Sequence, residues 1–241
     1  MQTVTLSLFR FAARADRLWV LGQMAAARFA FGRMPEARFW KLCGSGTGEG
    51  FTPRPNWGVW AILAVWPDAA TARVQVRGAA VYRRWRARAV EDWTIHLAPA
   101  ASRGQWAGVA PFDATGTVGD GPLAVLTRAS VRPLSLLRFW GQAPAISTRI
   151  GADPNVAFKI GIGEVPMLHQ VTFSVWPDLA SMTAFARGDG PHGRAIRAVR
   201  EGNWFREELY ARFRILGAEE RWSGGDPLAR LPRPLPALDA A

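Results

Sequence analysis

Three short motifs recur in the same order in the two halves of this chain of 241 residues. The matched pairs are Val65-Trp66-Pro67-Asp68 with Val175-Trp176-Pro177-Asp178, Gly22-Gln23 with Gly141-Gln142, and Gly46-Thr47-Gly48-Glu49 with Gly161-Ile162-Gly163-Glu164. Motifs that return in register at a nearly constant offset are typical of a duplicated supersecondary unit. The chain is therefore expected to fold as two copies of one unit.

The first half predicts the element order βαββαβ from its alternating and helical periodicities. Its predicted strands cover residues 3–11, 39–43, 57–66 and 93–98. Asp16 is predicted to cap a first helix, and Asp68 a second helix that breaks near Gly78 and resumes over 80–90. The apolar stripe expected on the first helix consists of Leu18, Leu21, Ala25 and Phe29.

The second half predicts the same order. Its strands are expected at residues 123–131, 156–161, 168–176 and 210–216. A helix over 135–149 is expected to kink at Pro144, and Asp178 to cap a helix interrupted at 188–191 before a segment over 192–200. The order βαββαβ is that of the ferredoxin-like unit. We therefore predict an α+β fold in which tandem ferredoxin-like repeats form an intramolecular dimeric α/β barrel.

The predicted domain boundaries follow from this assignment. Residues 1–98 form the N-terminal repeat, 99–122 a linker rich in Gly and Pro, 123–216 the C-terminal repeat, and 217–241 a Pro-rich tail. The tail is expected to be extended and partly mobile.

The charge balance, with 30 Lys and Arg against 19 Asp and Glu and a net charge of +11, is typical of proteins with anionic partners, and codon bias is an equally good explanation of the arginine excess. The arginines are scattered, which argues against a dedicated nucleic-acid arm. The single cysteine, Cys43, excludes an internal disulfide and an on-board iron–sulfur centre and favours a reducing compartment. With no signal peptide or membrane span visible, we expect a cytoplasmic protein.

Three histidines offer the main catalytic chemistry. His96 is interpreted as a polar strand residue, and His169 as a histidine sharing a strand face with Val171 and Phe173. His192 lies between small residues at the start of a predicted helical segment. That position favours a neutral imidazole open to a flat ligand, although a helix-capping or turn role fits equally well.

One strand changes character between the two halves. Gln170, Thr172 and Ser174 alternate along the predicted strand 168–176. The corresponding first-half residues are Trp60, Ile62 and Ala64. A face that is polar in one copy only indicates a one-sided pocket, with polar contacts between the sheets as the alternative.

Together these motifs resemble the spheroidene monooxygenase family, the acyclic-carotenoid 2-ketolases of purple phototrophic bacteria. The residues that carry the resemblance are Phe39-Trp40-Lys41, Gly44-Ser45-Gly46-Thr47-Gly48, Gly50-Phe51-Thr52-Pro53, Pro55-Asn56-Trp57, both Val-Trp-Pro-Asp motifs, Phe158-Lys159-Ile160-Gly161, Gly163-Glu164-Val165-Pro166, Gly190-Pro191-His192-Gly193 and Asn203-Trp204-Phe205. The resemblance extends from about residue 1 to residue 216 and weakens in the linker and tail.

The resemblance implies a heme-dependent monooxygenase that uses O2 and reduced ferredoxin to convert spheroidene to spheroidenone by two hydroxylations at C-2. A cofactor is physically required, because no side chain supplies an oxidant for such a C–H bond. A basic protein would attract an acidic ferredoxin and an anionic membrane surface. The resemblance therefore implies peripheral contact with the inner, intracytoplasmic photosynthetic membrane, where an acyclic carotenoid resides.

The residues themselves suggest roles within that activity. We expect His192 as the axial iron ligand, with His169 as second and Cys43 as third choice. Gln170 and Thr172 are the expected catalytic residues that bond the reacting oxygen. Arg128 and Arg194 are expected to pair with heme propionates. The expected polyene channel is lined by Trp57, Trp60 and Trp176.

Three other functions stay open on the sequence alone. The same fold also hosts cofactor-independent oxygenases, and a non-catalytic heme or carotenoid carrier would share the composition. The arginine excess leaves nucleic-acid binding as a further alternative, which the scattered pattern disfavours.

Overall fold

Eight antiparallel strands close into one barrel in the computed structural model, which describes residues 1–48, 52–141, 153–187, 202 and 204–232. The strands are β1 (Thr3–Arg10), β2 (Phe39–Gly46), β3 (Pro55–Trp66), β4 (Glu91–Gly104), β5 (Leu123–Val131), β6 (Phe158–Gly163), β7 (His169–Trp176) and β8 (Phe205–Glu220). Their order around the barrel is β1-β3-β2-β6-β7-β5-β8-β4. The β4–β8 and β2–β6 pairings join the two halves, so among these described strands neither half keeps a free sheet edge.

Four helices of the described ranges lie outside the strands: α1 (Arg14–Gly32), α2 (Ala69–Gly78), α3 (Ala80–Arg86) and α4 (Leu179–Arg187). A 3-10 turn at Pro133–Ser135 leads into a helical segment over 136–141. Within the described part of the chain, no helix is both long and apolar enough to span a bilayer.

Alternation along each strand separates two apolar layers. Leu6 and Leu8 of β1 point into the barrel with Leu63 and Val65 of β3, where they form one continuous core. The neighbouring residues face outward, and in the first half they pack beneath α1, α2 and α3. The outward side chains of that second layer include Phe9, Leu42, Trp60, Ile62 and Trp66.

Short-range sequence features set the starts of α2 and α4 and the end of α2, as the sequence predicts. The Asp68 carboxylate accepts a hydrogen bond from the Thr71 backbone N–H at 2.7 Å and so caps α2. Asp178 does the same for Ser181 at 2.7 Å at the start of α4. Helix α2 ends at Gly78, which confirms the expected break before α3.

Helix α1 corrects two expectations. It begins at Arg14, and Asp16 lies inside its first turn rather than capping it. The residues that α1 buries are Val20, Ala27 and Phe31, whereas the expected stripe of Leu18, Leu21, Ala25 and Phe29 is exposed. Both faces of this helix are apolar, so the periodicity alone selected the wrong one.

A tryptophan-led turn follows the last strand of each half. Trp106 and Trp222 each pair with the residue three positions later, Val109 and Gly225, through two backbone hydrogen bonds. The central residues have left-handed backbone angles in both turns: Ala107 and Gly108 at φ of 56° and 78°, Ser223 and Gly224 at 56° and 77°. The matching Trp-Ala-Gly and Trp-Ser-Gly sequences are a further repeated motif.

The two turns close opposite ends of the barrel. Trp106 packs on Phe39 at the start of β2, with the ring centroids 5.6 Å apart. Trp222 lines a cavity with Gly46 at the end of β2. Both indoles are buried in the barrel core, so segments outside the predicted repeats help to complete it.

Candidate functional site

The outward face of the second half carries small and polar side chains. Strand β7 presents Gln170, Thr172 and Ser174 there, which confirms the alternation predicted from the sequence. Strand β5 adds Thr127 and Ala129 beside them. We refer to these five residues, with Val125 of β5, Lys159 and Gly161 of β6 and Trp176 of β7, as the second-half face.

Strand register shows what this face lacks. In the first half Phe9 pairs with Trp60, and Leu42 pairs with Ile62. These four side chains are at most 6% exposed beneath the helices. The corresponding second-half pairs are Ala129 with Gln170 and Gly161 with Thr172. Four large apolar side chains of the first half thus correspond to two very small and two polar ones in the second half, so these second-half side chains fill less of the space above the sheet.

One end of the second-half face is apolar and packs against α4. Trp176 packs on Phe185 of this helix with the ring centroids 5.2 Å apart. The Trp176 indole N–H donates to the Ser174 hydroxyl at 2.9 Å. Further along, the Lys159 ammonium is buried, which places a positive charge near the polar part of the face. This end of the face is thus packed beneath α4, and the partly exposed polar side chains of β7 on the face are those of Gln170 and Thr172.

A glycine keeps the start of β7 close to β6. A Cβ on Gly163 would lie 2.1 Å from the carbonyl oxygen of His169, so only glycine permits this approach. The same Cβ would lie 3.9 Å from the Gln170 side-chain nitrogen. Gly163 thus helps to seat Gln170 at the edge of the second-half face.

Two of the expected cofactor residues lie on the other side of the sheet. Arg128 is 4% exposed and interacts with Glu207, while His169 Nδ1 lies 3.7 Å from Glu164 Oε2. Both side chains point to the barrel interior, whereas Gln170 and Thr172 point outward. The structure therefore separates Arg128 and His169 from Gln170 and Thr172.

The interior residues belong to an ionic cluster at the Trp106 end of the barrel. Lys41 Nζ lies 2.9 Å from Glu164 Oε1, and the Trp106 indole N–H donates to Glu164 Oε2 at 2.6 Å. Burial lowers the pKa of His169, against the opposing influence of the Glu164 carboxylate. Each charge thus meets an opposite partner, and the cluster has the character of a structural network.

Glu207 connects this cluster to the Trp106 turn. Its carboxylate accepts hydrogen bonds from the backbone N–H groups of Ala107 and Gly108, both at 2.8 Å. Partial burial would raise the pKa of Glu207, but these N–H groups and the Arg128 guanidinium hold it below its usual range. Glu207 is therefore an anionic anchor for the turn.

Cys43 lies inside the barrel and is fully buried. Burial, followed by the nearby Glu164 carboxylate, raises the pKa of the thiol far above its usual range. A thiolate ligand is thus disfavoured at Cys43. Among the described residues, no group of three His, Cys, Asp or Glu side chains is placed to hold a bare metal ion.

His96, the third histidine, is fully buried on the outward side of β4. Its Nε2 lies 2.9 Å from Glu219 Oε1, and Arg77 Nε lies 2.9 Å from Glu219 Oε2. Burial would raise the pKa of Glu219, but the contacts with His96 and Arg77 lower it to about 2. His96 thus stabilises a buried carboxylate.

The other expected site residues either lie in different parts of the barrel or are outside the residues that the structure describes. His192, Arg194, the Pro144 kink and the break at 188–191 lie outside the described residues. Trp60 is packed beneath the first-half helices and Trp57 is about half exposed beside it. Trp176 lies in the other half, so these three tryptophans do not line one channel.

A cavity of about 600 Å³ opens where β2 and β6 diverge after only two paired positions. Its walls include Arg10, Gly46, Phe158, Trp222 and Arg230. The tail turn at Trp222 thus covers a polar opening at the junction of the two halves.

Sequence reasoning missed Lys41, Glu164, Glu207 and the two tryptophan turns. Lys41 and Glu164 do lie within the motifs that carry the family resemblance. The Trp-Ala-Gly and Trp-Ser-Gly motifs, 116 residues apart at Trp106 and Trp222, were a repeat signal available in the sequence.

Comparison with known structures supports the barrel. An aldoxime dehydratase in complex with butyraldoxime matches 89% of the chain and 79% of its own, with a TM-score of 0.62 and 11% identity. A second aldoxime dehydratase matches 89% of the chain and 81% of its own, with a TM-score of 0.60 and 12% identity. At such identities the likeness shows the fold alone.

Sequence comparison is more specific, although no family model matches the chain. The spheroidene monooxygenase of Cereibacter sphaeroides is 53% identical over 100% of the chain and 78% of its own length. That of Rhodobacter capsulatus is 53% identical over 95% of the chain and 96% of its length. That of Rubrivivax gelatinosus is 35% identical over 88% and 82%. The chain therefore belongs to the spheroidene monooxygenase family of oxidoreductases.

Proposed function

We propose that this protein is a heme-dependent monooxygenase that introduces a keto group at C-2 of spheroidene-type acyclic carotenoids, converting spheroidene to spheroidenone with O2 and reduced ferredoxin. The substrate class is supported by three relatives that bear the name spheroidene monooxygenase. The observation that carries the heme proposal is the second-half face, where small and polar residues replace the large side chains of the first half.

We further propose that the barrel arose from tandem ferredoxin-like repeats. Strand neighbours run β4-β1-β3-β2 in the first half and β8-β5-β7-β6 in the second, which is the same order in each. The matching tryptophan turns and helix-capping Asp residues support duplication. The proposed units are residues 1–98 and 123–216, with 99–122 between them and 217–241 as the tail.

The small side chains of the second-half face support this heme proposal. Ala129 and Gly161 keep the sheet surface low beside Gln170 and Thr172. A heme propionate carboxylate pairs with a cationic side chain. Arg128 is directed to the barrel interior and is already engaged by Glu207, so Arg194 remains the arginine candidate for that role.

Heme iron, when bound, supplies the O2-activating chemistry that a C–H hydroxylation requires. The chain would hold the heme iron through His192, a proposal that rests on the sequence. Gln170 would donate from its amide, and Thr172 from its hydroxyl, to the reacting oxygen. His169 faces the barrel interior beside Glu164, which argues against it as an alternative ligand on this face.

The electrons would come from an external carrier. Each hydroxylation consumes O2, two electrons and two protons and releases water, and a single cysteine excludes an on-board iron–sulfur cluster. The net charge of +11 favours an acidic ferredoxin as that carrier. We propose a cytoplasmic protein in peripheral contact with the inner membrane, from which it takes its apolar substrate.

The test is the absorption spectrum of the purified protein, combined with spheroidene turnover in the presence of ferredoxin, its reductase and O2. We expect a Soret band that His192→Ala abolishes and that the matched control His169→Ala retains. Of wild type and His192→Ala, only wild type should form spheroidenone.

Three results would overturn the proposal or its ligand assignment. Turnover without any heme absorption would indicate a cofactor-independent oxygenase. Heme or carotenoid binding without any change in the carotenoid would indicate a carrier. A Soret band lost in His169→Ala and kept in His192→Ala would reverse the ligand assignment.

A further inference from the structure

Helix α1 exposes a stripe of apolar side chains along its outer surface. Leu18 and Phe29 are each 70% exposed and Leu21 is 39% exposed. Gly22 and Ala25 lie between them and are also exposed. We call these five residues the α1 stripe. Single exposed apolar residues are normal, but a continuous stripe on one helix marks an interaction surface.

The stripe is separate from the face that α1 uses for folding. Val20, Ala27 and Phe31 are buried against the barrel layer and lie on the opposite side of the helix. At the helical rise, Leu18 and Phe29 are about 16 Å apart along the axis. The stripe is therefore long enough for the helix to lie flat on a surface.

The surroundings of the stripe are strongly basic. Arg14, Arg17, Arg28 and Arg33 are exposed on and beside α1. The α2–α3 region next to it adds six more arginines: Arg73, Arg77, Arg83, Arg84, Arg86 and Arg88. Three of these are ion-paired, Arg77 with Glu219, Arg86 with Asp92 and Arg88 with Asp16. Across residues 14–33 and 69–90 the only acidic residue is Asp16, which lies 3.2 Å from Arg88.

An exposed apolar stripe flanked by arginines matches the chemistry of an anionic bilayer surface. The leucine and phenylalanine side chains can enter the acyl boundary while the guanidinium groups stay among lipid phosphates. A soluble acidic protein would satisfy the arginines but offers no comparable use for a flat stripe of large apolar side chains.

We propose that α1 docks this protein on anionic lipid bilayers through the α1 stripe and its flanking arginines. This inference rests on the membrane contact proposed above and deepens it by naming the surface. Vesicle binding is measured without turnover, so its failure would be distinguishable from failure of the proposed chemistry.

The experiment is co-flotation of the purified full chain with phosphatidylglycerol vesicles and with neutral phosphatidylcholine vesicles at several salt concentrations. We expect binding to the anionic vesicles that weakens with salt. The variant L18Q/F29Q should bind at least about tenfold more weakly, because two buried apolar side chains are lost. The variant R28Q/R33Q should retain weak binding and lose much of the preference for anionic lipid.

A matched control uses two leucines of the other half. Leu134 and Leu137 are 98% and 90% exposed on the segment after β5. The variant L134Q/L137Q should bind vesicles as wild type does. Circular dichroism and thermal melting should show all three variants folded, because every substituted residue is exposed.

Several outcomes would overturn the proposal. If wild type binds neither type of vesicle, α1 has no membrane role. Loss of binding in L134Q/L137Q but not in L18Q/F29Q would assign docking to the other half. A dimer in sedimentation that only L18Q/F29Q dissociates, without vesicle binding, would assign the stripe to a second copy. Salt-sensitive binding of an acidic carrier protein, without vesicle binding, would assign the arginines to that carrier.

Discussion

Glu91 and Glu207 each lie near the start of the last strand of one half and bind the tryptophan turn of the other half. Glu91 accepts a hydrogen bond from the Gly224 N–H at 2.8 Å, and Glu207 accepts from Ala107 and Gly108. Arg10 lies 2.7 Å from Glu91 and 4.4 Å from the Trp222 ring centroid, and Arg128 contacts both Glu207 and the Trp106 ring. The two halves are thus held together reciprocally.

This relationship predicts the effect of neutralising either carboxylate. Glu91→Gln and Glu207→Gln should each lower the free energy of unfolding by about 1–3 kcal/mol, because charge-assisted hydrogen bonds to a turn are weakened. Urea unfolding measures the change. The losses should add in the double variant, since the turns lie at opposite barrel ends. An unchanged stability in both single variants would contradict the reciprocal anchoring.

The His96–Glu219–Arg77 contact predicts a loss of stability in acid. Glu219 has a pKa of about 2 in the folded protein against a usual value of 4.5, so its contribution is fully present above pH 4.5. It is lost as the pH falls from about 4.5 towards 2, and amounts to about 2 kcal/mol after allowance for solvent screening. Urea unfolding at pH 6 and pH 3 should show a smaller difference for Glu219→Gln than for wild type. Equal differences would refute the assignment.

The second-half face predicts the result of exchanging residues between the halves. The double variant Gln170→Trp/Thr172→Ile places the residue types of Trp60 and Ile62 at the corresponding second-half positions. It should remove the heme Soret band and leave a cooperative thermal transition. The reverse change, Ile62→Thr, should cost about 1–3 kcal/mol of stability through a buried hydroxyl and leave the spectrum unchanged. If the filled face still bound heme normally, the binding surface would lie elsewhere.

The burial of Cys43 predicts an unreactive thiol. Dithiobis(nitrobenzoate) should modify the Cys43 thiol only after the protein unfolds, because the reactive thiolate form is disfavoured inside the barrel. Cys43→Ala should therefore leave any heme spectrum as in wild type. Rapid labelling of the native protein, or a changed Soret band in this variant, would reopen Cys43 as a ligand.

Much of the fold was accessible from the sequence because its signals are local. Strand β5 matches its predicted bounds, and the caps at Asp68 and Asp178 are confirmed, since a short polar side chain before a helix acts on its own first turn. The prediction of which face of α1 is buried was wrong, because apolar residues lie on both faces of this helix. Only tertiary packing decides which face is buried.

The candidate site was accessible only in part. Alternation placed Gln170 and Thr172 together on one side of β7, and the structure confirms that placement. The structure pairs Arg128 with Glu207 and His169 with Glu164. Strand pairing and packing across the barrel bring these side chains together. No periodicity within one strand reports such long-range neighbours.

The joining of both sheets in one polypeptide has a consequence for how this protein can change. A barrel assembled from two identical chains must accept every substitution on both sides at once. Here Trp60 and Ile62 can hold one side rigid while Gln170 and Thr172 vary on the other. On the proposed duplication, one half of the single chain can change its outward-facing residues while the other half preserves the scaffold.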